Sequence, residues 1–199
     1  MAPKQVHIIK TGVANIASML AAFERLGAEA RLTDSPDDVR DGDRVVLPGV
    51  GSFGAGMKQL DELGMREVLI ERAEAGRPLL AVCLGLQLLC AESDESPGVE
   101  GLGIVPAKVG RFPNTVRVPQ FGWNSLVADS GCELLRDGYA YFANSYRLAE
   151  APEGWCAAMS EHGGRFVGAM ERGKLLACQF HPEISGKWGL GLLERWLKC

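Results

Sequence analysis

Histidine is scarce in this sequence: His7, His162 and His181 are the only three, too few and too scattered to join the cysteines in a zinc site, so no metal is expected. The six cysteines, at 83, 90, 132, 156, 178 and 199, include no Cys-x-x-Cys pair, and no secretory apolar segment stands at the N-terminus. Both absences point to a reducing, cytoplasmic setting. Basic charge is also limited: 21 Lys and Arg face 25 Asp and Glu, a formal net charge of -4. No block of Lys and Arg persists along any face, which excludes a phosphate track for nucleic acid. No apolar run approaches the roughly 20 residues that a membrane helix needs. No linker interrupts the chain, and 199 residues suit a single domain, 1–199, with a substantial core.

The patterns that are present alternate between strand and helix. Val6 to Lys10 reads as a strand, Thr11-Gly12 as a turn, and Asn15 to Leu26 as a helix stopped by Gly27. Glu29 to Leu32 is a second strand, followed by a polar stretch, Thr33 to Asp43. Arg44 to Leu47 is a third, running into Pro48-Gly49-Val50-Gly51-Ser52-Phe53-Gly54. Gln59 to Ala75 is helical with a break at Gly64. This β-α-β rhythm is that of a parallel sheet covered by helices. Ala91 to Gly103 reads as a polar surface loop. From Ile104 onward the texture is β-rich, with strands at Ile104 to Phe112, Val116 to Val118, Ser125 to Ala128, Ala140 to Leu148, Cys156 to Ser160 and Phe166 to Met170. Strands without intervening helices imply antiparallel pairing in this half. Leu175 to Phe180 is a last buried strand, and a helix from about Lys187 to Leu197 carries Trp188, Leu192 and Trp196 on one stripe.

The stretch Pro78-Leu79-Leu80-Ala81-Val82-Cys83-Leu84-Gly85-Leu86-Gln87-Leu88-Leu89 carries the chemistry. A buried parallel strand breaks at Cys83 into helical spacing. A thiol at a helix start feels the positive end of the backbone dipoles, which favours the thiolate, the nucleophilic form. Ala81 and Gly85 flank it as the glycines flank serine in a nucleophile elbow. Taken alone, such a cysteine is more often a small buried hydrophobe. Gln87 lies one turn further on, either facing what the thiolate attacks or simply solvated.

Gly49-x-Gly51-x-x-Gly54 matches the dinucleotide fingerprint, following a strand and preceding a helix as that motif requires, but the match is read as false. The fingerprint belongs on the first strand and needs an acidic residue about 20 positions on, at the end of the next strand, whereas Glu71 falls within a helical pattern. The loop is either an ordinary turn or a source of oxyanion N–H donors, that of Val50 in particular. His181, at the end of the last strand, is a candidate base, and Glu183 can orient it. Ligands in open α/β sheets bind at the carboxyl ends of the strands, where Cys83, the Gly49 loop and His181 all fall. That convergence favours a catalytic cysteine over a structural one.

Cys83-Leu84-Gly85-Leu86-Gln87 and Gln179-Phe180-His181-Pro182-Glu183 resemble the two signatures of the class I glutamine amidotransferases. Four further stretches are similar to the branch of that family that supplies ammonia to imidazole glycerol phosphate synthase in histidine biosynthesis, over essentially the whole chain. They are Gly12 to Ser18 with Asn15, Pro48 to Gly54, Pro119 to Asn124, and Tyr141 to Tyr146.

The resemblance implies an α/β fold of flavodoxin-like type: an open, mainly parallel sheet with helices on both faces and an antiparallel β extension in the second half. It implies that Cys83 opens the glutamine amide through a thioester, with His181 and Glu183 completing the triad. By the same resemblance Gly49, Val50 and Gly51 form the oxyanion site, while Gln87, Ser145 and Tyr146 hold glutamine. Asn15, Pro119 and Trp123 would face a (β/α)8-barrel cyclase, the partner in a heterodimer, and no cofactor is implied. Ala81 stands where the family usually has glycine, and Gln120 and Asn144 where it has histidine; the last two bear on the partner surface or the substrate pocket.

Overall fold

The computed structural model describes residues 3–11 and 15–199. In chain order the elements are β1 (Gln5–Ile9), α1 (Ile16–Arg25), β2 (Glu29–Thr33), α2 (Pro36–Asp41), β3 (Arg44–Leu47), α3 (Phe53–Glu62), α4 (Arg66–Glu74), β4 (Leu79–Val82) and α5 (Leu84–Leu88). They continue with β5 (Cys90–Ser93), β6 (Val105–Arg111), β7 (Gln120–Ala128), β8 (Gly138–Asn144), β9 (Tyr146–Arg147), β10 (Cys156–Glu161), β11 (Arg165–Arg172), β12 (Leu175–Cys178), a 3-10 turn (Pro182–Ile184) and α6 (Gly186–Lys198).

Nine strands form one sheet in the order β2-β1-β3-β4-β12-β11-β10-β7-β8, and β5-β6-β9 form a small second sheet. From β2 to β12 neighbouring strands are parallel; from β12 to β8 they are antiparallel. The central strands β3, β4 and β12 are buried at every residue. Strands covered on both faces need apolar side chains in both directions, so they read as runs rather than alternations. Met19 and Phe23 of α1 pack on one face with Leu192 and Trp196 of α6. On the other face lie Met57 and Leu60 of α3, Leu69 of α4 and Leu88 of α5. The strand order reverses beside β1, which opens a crevice at the carboxyl ends of the neighbouring strands.

Several local expectations are corrected. Thr33 to Asp43 contains a helix, α2: Pro36 occupies its first turn, Asp37 and Asp38 complement its dipole, and Val39 is buried. Ala91 to Gly103 is not wholly loop, because it begins within β5, which pairs in parallel with β6. Val116 to Val118 forms no strand; β7 starts only after Pro119, which has no N–H for a ladder. Ala140 to Leu148 is not one strand: β8 ends at Asn144, and the chain crosses at Ser145 to pair with β6 through β9. Of the six cysteines, Cys132 and Cys156 form a disulfide, their Cα atoms 5.4 Å apart. Residues 24 apart meet there because the turn after β7 lies beside the start of β10. Gly12, part of one stretch quoted above, lies outside the described residues.

Two buried charges tie the frame together. Arg72 donates to the carbonyls of Val39, Asp43 and Pro78 at 2.8 to 3.0 Å, joining α4 to α2 and to the chain entering β3 and β4. Burial, aided by Arg77, lowers its pKa to about 10. Glu171 on β11 accepts the N–H groups of Glu133, Leu134 and Leu135, fixing the loop that leads into β8. Among the described residues no helix is long and apolar enough to cross a membrane.

Candidate active site

Cys83 is the only non-glycine residue with positive φ among those described, at φ 57° and ψ -109°. Such a conformation costs on the order of 1–3 kcal/mol and persists only where the surroundings impose it. Here the Cys83 N–H donates to the Cys178 carbonyl at 2.7 Å, and the Cys83 carbonyl accepts from Leu86 N–H at 3.1 Å. Gly85 permits the turn: a Cβ there would stand 2.1 Å from the Leu47 carbonyl oxygen. The elbow therefore packs against the end of β3 with no room for a methyl group. The helix that follows is short, little more than one turn, before β5 begins.

A cavity of about 200 Å³ opens over the elbow, lined by Cys83, Leu84, Gln87, His181, the Val50 and Gly51 loop, Glu95 and residues 143–146. It brings together elements from the ends of β3, β4, β8 and β12. Of the predicted residues, Cys83, His181, Val50, Gly51, Gln87, Ser145 and Tyr146 all line it. Glu183 stands behind His181, its carboxylate Oε1 2.8 Å from the imidazole Nδ1. Gly49 does not line this cavity. It lies behind the loop, where its carbonyl accepts the Leu84 N–H at 3.3 Å and a Cβ would come within 2.9 Å of the Leu84 side chain. Thr11 holds the same loop by donating from Oγ1 to the Pro48 carbonyl at 2.8 Å.

The electrostatics separate the cysteines. Burial pushes the Cys90 thiol up to about 12 and that of Cys178 well above its ordinary range, so both stay protonated inside the sheet. Burial pulls the His181 imidazole down, but hydrogen bonds and charge from Cys83 and Glu183 outweigh it and raise its pKa to about 10. A histidine so placed is protonated at neutral pH when the sulfur beside it is negative.

Sequence reasoning left Gln87 open between two roles, and burial decides against the solvated one. It is 5% exposed, and its Nε2 donates to Gln179 Oε1 at 3.0 Å and to the Tyr146 carbonyl at 3.3 Å. Asn144 Nδ2 donates to the same carbonyl at 2.9 Å and lines the cavity. Gln120, its cross-strand partner on β7, is buried with its amide unpartnered among the described residues.

Glu95 was missed. Its carboxylate accepts the Phe53 N–H at 2.6 Å, capping α3, and among the described residues it is the one acidic side chain on the cavity wall. Nothing in its local pattern signals this, since the contact spans 42 residues.

The expected partner residues fall in different places. Asn15 is exposed before α1 and lines a small crevice with His181 and Glu183. Pro119 and Trp123 line a separate groove, and Trp123 is 59% exposed. Trp123 and Phe121 stack edge-on against Tyr141. Their face of the β7–β8 pair continues through Ala143 to the cavity.

The family model described as glutamine amidotransferase class-I matches residues 8–197. The chain belongs to the class I glutamine amidotransferases. Among curated relatives of this amidotransferase is the "Imidazole glycerol phosphate synthase subunit HisH" of Methanothermobacter thermautotrophicus, 41% identical, with 97% of this chain and 98% of that protein covered. Another is the "Imidazole glycerol phosphate synthase hisHF, chloroplastic" of Arabidopsis thaliana, 39% identical, with 96% of this chain but 34% of that protein covered. The fold of the amidotransferase is also that of a solved structure described as a glutamine amidotransferase. That match has TM-score 0.77 and 23% identity, with 97% of both chains covered.

Proposed function

We propose that this chain, as one amidotransferase domain over 1–199, is the glutamine-hydrolysing subunit of an imidazole glycerol phosphate synthase in histidine biosynthesis. It works with a (β/α)8 cyclase that uses the ammonia. The observation that carries the reading is the convergence on one cavity of a strained Cys83, a His181 backed by Glu183, and a glycine loop. The relatives named above support the partner, and so does the greater part of the Arabidopsis chain that lies outside the match.

In this reading the Cys83 sulfur attacks the side-chain amide carbon of glutamine. His181 delivers a proton to the departing nitrogen, ammonia leaves, and a γ-glutamyl thioester remains. His181 then takes a proton from water, which attacks the thioester and releases glutamate and free Cys83. Glu183 keeps the imidazole oriented through Nδ1. Gln87, Ser145 and Tyr146 hold the substrate, and Glu95 offers a carboxylate to its ammonium group. Glutamine plus water gives glutamate plus ammonia, a balance that calls on neither metal nor cofactor. The expected setting is the cytoplasm.

The oxyanion site is at rest in this arrangement. The N–H after a nucleophile is a usual oxyanion donor, and here the Leu84 N–H is taken by the Gly49 carbonyl. Turning the Gly49–Val50 peptide, a rotation about ψ of Gly49 and φ of Val50, would free that donor and aim the Val50 N–H at the same place, and glycine at position 49 leaves that ψ unrestricted by a side chain. A donor so placed is worth on the order of 3 kcal/mol. The partner would hold the turned form, seated on the Phe121, Trp123 and Tyr141 face beside the cavity, with Pro119 and Asn15 at its margins.

The test is glutamine hydrolysis with and without the cyclase and its nucleotide ligand. Turnover is slow alone and rises strongly in the complex, and Cys83→Ala abolishes glutamine use while the complex still makes product from ammonium salts. Turnover indifferent to the partner would remove the coupled reading, and loss of both activities in Cys83→Ala would make the cysteine structural.

A further inference from the structure

Gln179 has no exposed surface, yet it keeps a primary amide where leucine or methionine would pack without cost to solvation. Both ends of the amide are used. Its Oε1 accepts from Gln87 Nε2 at 3.0 Å, and its Nε2 lies 3.9 Å from Cys83 Sγ with donor geometry. Gln87 Nε2 also donates to the Tyr146 carbonyl at 3.3 Å. Both protons of the Gln87 amide are thereby engaged, and its carbonyl oxygen is the atom left to face the cavity that Gln87 lines. Two side-chain amides in series thus connect the 144–146 wall of the cavity to the nucleophile.

We propose that Gln179 is a positioning residue with two effects, resting on the glutaminase reading above. It turns the Gln87 carbonyl toward the N–H groups of the bound amino acid, and it gives an N–H to the Cys83 sulfur. A thiol accepts hydrogen bonds weakly, whereas a thiolate accepts them as a charged group. The second contact therefore favours the ionised sulfur before glutamine arrives.

The test uses the complex with the cyclase and two readouts: glutamine kinetics, and alkylation of Cys83 by iodoacetamide located by mass spectrometry. Gln179→Met keeps the length and removes both hydrogen bonds; Gln87→Leu removes the substrate contact and leaves Gln179 beside the sulfur. Gln87→Leu raises KM and leaves Cys83 alkylation at pH 7 within about twofold of wild type. Gln179→Met raises KM and also slows alkylation at pH 7 about tenfold, as expected for losing a hydrogen bond to a charged group. That deficit narrows as the pH is raised to about 9. Should Gln179→Met not fold, Gln179→Leu carries the same comparison. Alkylation within twofold of wild type in the Gln179 variant, or slowed equally at every pH, overturns the proposal. Absence of glutamine turnover in the wild-type complex would instead overturn the glutaminase reading, which the alkylation measurement does not depend on.

Discussion

His181 and Glu183, two residues apart on the turn after β12, meet through Nδ1 and Oε1 at 2.8 Å, with the Glu183 side chain only 1% exposed. Pro182 begins a 3-10 turn between them, and this short helical step carries the carboxylate back beneath the ring. The pairing fixes the imidazole by the nitrogen away from the sulfur and leaves the other for proton transfer.

Replacing Glu183 by Gln keeps the shape but permits the amide to donate where the carboxylate accepts, which favours the wrong tautomer. Glutamine-dependent turnover falls by about 10²-fold or more, with little change in KM. Steady-state kinetics of the complex check this; a loss confined to KM would mean that Glu183 serves binding rather than the imidazole.

The raised pKa of His181 has a signature in stability. Its folded value of about 10 exceeds the ordinary 6.5, so the folded state holds this proton more tightly. The contribution is complete below about pH 6.5 and is lost as pH rises toward 10. Urea unfolding from pH 6.5 to 9.5 shows wild type losing stability relative to His181→Gln; parallel curves for the two proteins would contradict it.

Gly85→Ala drives a methyl group into the Leu47 carbonyl, which a Cβ would approach to 2.1 Å. Backbone cannot yield there as a flexible side chain could, so the elbow and β3 must separate. Stability falls by about 2 kcal/mol or more, and glutamine hydrolysis falls with it. Thermal unfolding and turnover measured together test this, and an unchanged melting temperature would show that the elbow is loose.

Trp123 is a large apolar side chain left 59% exposed beside Phe121, which is 70% exposed. If the cyclase covers this face, Trp123→Ala weakens the complex by about 2 kcal/mol, roughly 30-fold in Kd. The Cys83 alkylation rate of the isolated chain stays as it was. Calorimetric titration of the two subunits decides, and wild-type affinity in the variant would place the partner elsewhere.

What was legible in the chain was what local pattern encodes. Continuous apolar runs announced β4, β12 and, after Arg44, the rest of β3, because strands covered on both faces take apolar residues almost throughout. The break at Cys83 announced the elbow, and the family signatures around Cys83 and His181 made the class recognisable. Local pattern failed where a segment is held by distant groups. The α2 helix was hidden by its polar residues although Pro36 and its two aspartates are start signals. The β5 strand was hidden because its pairing with β6 is what makes it a strand.

The sequence by itself determined the alternation of strands and helices and, through the family signatures, singled out Cys83, His181 and Glu183 as the candidate nucleophile, base and orienting carboxylate, since periodicity and motif are local properties. Only the tertiary structure decided that Gln87 and Gln179 share a hydrogen bond across 92 residues and that Glu95 reaches the cavity wall. It also decided that the Gly49 carbonyl occupies the N–H following Cys83 and that Cys132 lies against Cys156. The contacts around Cys83 follow from sheet order, which places the ends of β3, β4 and β12 side by side although they lie far apart along the chain, and the Cys132–Cys156 contact follows from the pairing of β7 with β10.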